Sequence, residues 1–157
     1  MANNKSKHDH LSYILSKLER ETGLNFSGSD FNSRLRIQKS VYLLKVLDVP
    51  PFTGYDFGYY IRGPYSPSLA KDYYSIVGKF EILTDANIPF DKERIVIEAA
   101  NRGNRFLEAV ATLHFAWAIN GRPDRETVLK IVKELKPSLN DKLPEAWQFL
   151  VENGLLN

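Results

Sequence analysis

Leu11, Ile14, Leu15 and Leu18 fall at i, i+3, i+4 and i+7, the spacing of one apolar helix face, and Gly23 ends that helix. The polar stretch before it reads as a flexible tail over 1–8, leaving 9–157 as a single globular domain. Ser27, Gly28, Ser29 and Asp30 form a loop that caps a second helix over about 31–47. Its face is Ile37, Val41 and Leu44, but Val41, Tyr42, Leu43 and Leu44 are apolar all round, which predicts burial on more than one side and a central position. Pro50 and Pro51 stop it. Tyr55, Phe57, Tyr59 and Ile61 then alternate with Asp56, Gly58, Tyr60 and Arg62, the period of a half-buried strand. Gly63-Pro64 breaks that strand, and Ser66-Pro67 supplies an N-cap and a first-turn proline for a third helix. Leu69, Ala70, Tyr73, Ile76 and Val77 form its apolar face, which ends at Gly78.

Residues 80–83 and 94–98 both read as extended, the second with Ile95 and Ile97 on one side and Arg94, Val96 and Glu98 on the other. With the turn-rich 85–91 between them they predict a hairpin placed as a wing would be. Asn104 can cap a long helix whose core face is Phe106, Val110, Leu113 and Trp117 and which ends at Asn120-Gly121. Asp124 can cap the next, with Val128, Ile131, Val132 and Leu135 facing inward until Pro137. A last helix from about Pro144 buries Trp147, Leu150 and Val151 and ends at Asn153-Gly154. The expected fold is therefore α+β and mainly helical, a winged-helix-like bundle with a small antiparallel sheet.

Composition narrows the function classes. A chain of 157 residues, 43% hydrophobic and 25% charged, has enough apolar surface for a packed core and is unlike disordered sequences. A net charge of +2 is not that of a strong electrostatic nucleic-acid binder, although a local basic patch stays open. With no cysteine there is neither a disulfide scaffold nor a thiolate metal site. No run reaches membrane-spanning length, and the first ten residues lack the apolar core of a signal peptide. These features lead us to expect a cytoplasmic protein with no membrane partner.

Six of the eight tyrosines lie between Tyr55 and Tyr74. This segment, through Tyr59-Tyr60-Ile61-Arg62-Gly63-Pro64-Tyr65-Ser66 with Leu69 and Asp72, follows a helix carrying Arg34-Leu35-Arg36-Ile37-Gln38-Lys39-Ser40-Val41-Tyr42-Leu43-Leu44. On these residues the chain resembles the YwgA-like family of prokaryotic proteins and is more distantly similar to Panacea-domain (SocA-like) antitoxins. Both groups carry an Arg/Lys-Leu-Gln-Lys-Leu type of helix followed by an aromatic strand ending in Gly-Pro. Lys136-Pro137, Ala146-Trp147 and Gly154-Leu155-Leu156 also fit the YwgA-like pattern. The chain departs from it at Ser40, where the family has an apolar residue, and from Panacea domains at Tyr65, where they have valine. The resemblance implies a protein partner, a toxin or a defence component, and carries over no catalytic residue.

The remaining motifs have ordinary readings. Pro123-Asp124 with Glu134-Leu135-Lys136 spells a metal-dependent nuclease pattern, a weaker alternative. Yet 124–136 has continuous helical periodicity, which separates the two acids by roughly 15 Å at about 1.5 Å per residue. Asp124 is better read as an N-cap and Lys136 as a cation at a helix C-terminus. His8 and His10 lack a third ligand at motif spacing, and His114 sits in an apolar helix as a core or boundary residue. No phosphate loop, nucleophile elbow or HExxH is present, so no cofactor, metal or catalytic residue is assigned.

Arg34, Arg36, Lys39, Lys45, Arg62 and Lys71 surround the central motif and alternate with Tyr60 and Tyr65. As a set, Arg34, Arg36, Lys39, Tyr60, Arg62 and Tyr65 suit a binding surface, where Tyr and Arg are enriched, or phosphate and base contacts with DNA. The bland alternatives are a solvated helix face, an Arg62–Asp salt bridge, and tyrosines that simply pack; Tyr55 and Tyr59 are expected in the core. The function expected is a non-enzymatic macromolecule-binding module acting on a protein, with DNA binding as the alternative.

Overall fold

A computed structural model describes residues 2–60, 63–76 and 88–157, with side chains from residue 7 onward. Its described residues form seven α-helices and one two-stranded antiparallel sheet, an α+β and mainly helical fold. The first helix, α1 (Ala2–Thr22), starts earlier than the polar sequence suggests, and Lys7 and His8, within the segment read as a tail, reach Asp72. Leu11, Ile14, Leu15 and Leu18 are fully buried, and Gly23 (φ 71°) ends the helix in the left-handed region.

Asp30 caps α2 (Phe31–Val46) reciprocally: the Ser33 N–H donates to Asp30 Oδ1 at 2.7 Å, and the Asp30 N–H donates to Ser33 Oγ at 3.3 Å. Every residue from Leu35 to Leu44 is buried, as the all-round apolar stretch predicts. The central position is shared with α5 (Asn104–Ile119), buried from Phe106 through Trp117, against which α2 packs. Gly103 rather than Asn104 occupies the N-cap of α5, because the Asn104 side chain turns to accept from Arg36.

The sheet is not the predicted wing. It pairs β1 (Gly58–Tyr60) with β2 (Gly63–Tyr65), Gly58 opposite Tyr65 and Tyr60 opposite Gly63. Gly63-Pro64 therefore lies within the returning strand, and Pro64 is tolerated because this strand has a single partner. Residues 94–98 belong to α4 (Phe90–Asn101). Helical spacing decides this: Glu93, Val96, Ala99 and Ala100 are buried, whereas Ile95 and Ile97 are only half-buried. Residues 80–83, Val77 and Gly78 lie outside the described residues.

Ser66 caps α3 (Pro67–Ile76) as predicted, accepting the Leu69 N–H at 3.2 Å. Asp124 likewise caps α6 (Arg125–Leu135), accepting the Thr127 N–H at 2.9 Å. In α6, Val128, Leu129 and Val132 are buried while Ile131 is half-buried and Leu135 exposed. In α7 (Leu143–Glu152), Leu143, Ala146, Phe149 and Leu150 are buried, whereas Trp147 is partly covered and Val151 exposed. Both corrections rotate the buried face by about one residue. Short 3₁₀ turns at Phe52–Gly54 and Pro137–Lys142 complete the described secondary structure. No helix among the described residues is long and apolar enough to cross a membrane.

Candidate binding cleft at the tyrosine hairpin

The two halves of the central motif meet in space. The Gln38 amide brackets the Ser66 backbone, donating through Nε2 to its carbonyl at 3.0 Å and accepting its N–H on Oε1 at 2.8 Å. Lys39 Nζ donates to the Pro64 carbonyl at 2.9 Å. Gly63 makes this approach feasible: its φ is 89°, and an added Cβ would collide with the Thr112 hydroxyl on α5. The hairpin is thus held by side chain to backbone bonds from α2 and by direct seating on α5.

That seating leaves a cleft of about 280 Å³ between the start of α2, the hairpin and α3. Tyr60, Tyr65, Tyr73, Tyr74, Phe31 and Leu35 supply its mainly apolar lining, with Arg34, Gln38 and Lys39 as the polar members. Tyr60 (51% exposed), Tyr74 (57%) and Phe31 (47%) form an aromatic rim. The rings of Tyr60 and Tyr65 meet edge-on at 5.1 Å. At the floor, the Tyr73 hydroxyl is buried beside Gln38 and Tyr65 without hydrogen-bond geometry to any described residue. Burial pushes its pKa up to about 12, so it keeps its proton at neutral pH.

Of the predicted site residues, the cleft unites Arg34, Lys39, Tyr60 and Tyr65. Arg62 lies outside the described residues. Arg36 and Lys39 correct the expectation of a solvated basic face, being 8% and 2% exposed. Arg36 donates to the Asn25 carbonyl (3.0 Å) and Asn104 Oδ1 (3.1 Å), tying the loop before α2 to α5. Lys45 donates to the carbonyls of Thr53 and Tyr55. Arg34 is half-buried, makes one long bond to the Gly28 carbonyl at 3.4 Å, and has no ion pair among the described residues. Tyr55 is buried as expected and donates to Asp72 Oδ2 at 2.7 Å, but Tyr59 is 36% exposed, its ring edge-on to Phe115. The sequence also missed Tyr73 and Tyr74 as cleft residues; their place opposite Tyr60 and Tyr65, on a helix that directly follows the hairpin, was the available signal.

The other polar residues are structural. Lys136 forms a buried ion pair with Glu108 on α5, correcting its reading as a simple helix-end cation. His114 is buried, and Tyr42 Oη lies 2.7 Å from its Nδ1. Burial, with a smaller opposing effect from Leu155 and a further lowering by Arg122, brings its pKa down to about 4. Burial likewise pushes up the Tyr42 phenol, so it keeps its proton. Ser40, the departure from the family pattern, is buried with its hydroxyl unpartnered among the described residues. No three His, Asp or Glu side chains among those residues gather as a metal site. Comparison with protein-family models, curated proteins and solved structures finds no match.

Proposed function

We propose that the chain is a macromolecule-binding module whose recognition surface is the cleft of Tyr60, Tyr65, Tyr74 and Arg34. The observation that carries this reading is the gathering of exposed Tyr60 and Tyr74, half-buried Tyr65 and a guanidinium with no ion pair among the described residues around a concave site. Tyr and Arg dominate binding hot spots because they combine large contact area with directional hydrogen bonds. The partner in this reading is a protein; following the resemblance to YwgA-like proteins and Panacea domains, it is a toxin or another component of phage–host conflict. DNA binding is less well supported, because Arg36 and Lys39 direct their donors into the fold.

Affinity capture from native lysate tests this. The tagged wild type and a Tyr60→Ala variant are compared, each with and without nuclease treatment. A protein retained in both halves by the wild type and lost by Tyr60→Ala is the expected result. Retention that vanishes with nuclease overturns the protein-partner reading in favour of nucleic acid.

A further inference from the structure

The cleft is selective in its charge and in what it leaves unpaired. Arg34 lines it, Lys39 is bonded to the Pro64 carbonyl in its wall, and no carboxylate among the described residues lines it. Asp30, the acid closest to Arg34 in sequence, caps α2 through Oδ1. At about 280 Å³ the space sits at the small end of ligand sites, enough for one large side chain rather than a length of chain. Its walls are aromatic, and its floor holds the Tyr73 hydroxyl, buried and without a described partner.

Resting on the binding-module reading, we propose that the cleft takes an aromatic side chain of the partner protein with a carboxylate beside it, the ring entering between Tyr60, Tyr65 and Tyr74 and the carboxylate pairing with Arg34. The planar guanidinium matches a carboxylate in a two-bond fork. The Tyr60 ring is half exposed and meets Tyr65 edge-on at the rim. In this pose Tyr73 donates to an acceptor on the incoming group. A nucleic-acid strand fits less well: it needs several cations along its backbone, and Arg36 is turned to Asn25 and Asn104.

The test is a titration of the isotopically labelled full chain, followed by amide chemical shifts, with the peptide acetyl-Gly-Trp-Asp-Gly-amide. Controls are the peptides with alanine for tryptophan and asparagine for aspartate, and a ten-residue thymidylate strand. The parent peptide is expected to bind with a Kd on the order of 1 mM, as one anchor allows, and to shift amides around Arg34, Tyr65 and Tyr73. Either peptide change, or Arg34→Glu, weakens this by about fivefold or more. Tyr73→Phe weakens it by about threefold without lowering the melting temperature, a separation that a purely structural hydroxyl does not produce. No cleft shifts at 10-fold above that concentration (~10 mM) overturn the proposal, as does equal binding of the asparagine peptide or saturation by the thymidylate strand alone. Tyr60-dependent protein capture combined with failure of the peptide removes this anchor chemistry and leaves the binding-module reading standing; failure of both removes both.

Discussion

Two buried polar groups of α5 are matched, Glu108 with Lys136 and His114 with Tyr42. Around the hairpin the matching is incomplete. Gln38 and Lys39 are bonded to Ser66 and Pro64, but the hydroxyls of Tyr73 and Thr112 have no partner among the described residues, and exposed aromatics stand beside them. An unmatched buried hydroxyl costs roughly 1–3 kcal/mol, so a fold kept for stability alone has reason to remove it. The difference separates polar groups that are paired in the interior from hydroxyls that have no partner among the described residues.

The strongest way to break this comparison is through the ion pair. Lys136→Met strands the Glu108 carboxylate in the interior and is expected to lose about 3–5 kcal/mol in urea unfolding. Adding Glu108→Leu restores most of that loss; a small effect of the single change removes the claim that this region depends on matched pairs. Acid titration probes the same region. The unfolded His114 takes up a proton near pH 6.5, while the folded one stays neutral until about pH 4. Its contribution is complete above the higher value and is lost as pH falls through this window, by about 3 kcal/mol in all. The His114→Leu variant should lack that step in stability measured from pH 7 to 4.

At the hairpin, Gln38→Ala deletes both bonds to Ser66, and a loss of about 2–3 kcal/mol by thermal or urea unfolding is expected. Tyr60→Ala should lower stability by no more than about 1 kcal/mol, the scale of one edge-on ring contact. A larger loss places Tyr60 with the packing residues and erases the contrast between the regions.

Local chemistry was legible in the sequence. Asp30, Asp124 and Ser66 act as caps because a cap depends on residues two or three positions away. The segment 94–98 was misread because Ile95, Val96 and Ile97 satisfy alternation, whereas helical pairing depends on Glu93, Ala99 and Ala100 outside that window. Arg36 and Lys39 were misjudged for a different reason. Their burial depends on Asn104 and on the Pro64 carbonyl, far along the chain, and a long side chain hides its destination. Four of the six predicted site residues line one cleft, because residues on one helical face and in one hairpin travel together once the two elements dock.

Gln38 and Lys39 grip the hairpin by its main chain, at Pro64 and Ser66, and not by the side chains of Tyr60 or Tyr65. Main-chain atoms are common to every amino acid, so the vocabulary displayed at positions 60 and 65 can be rewritten while the frame that displays it keeps its shape. A library built at those two positions can therefore vary the displayed side chains on an unchanged scaffold.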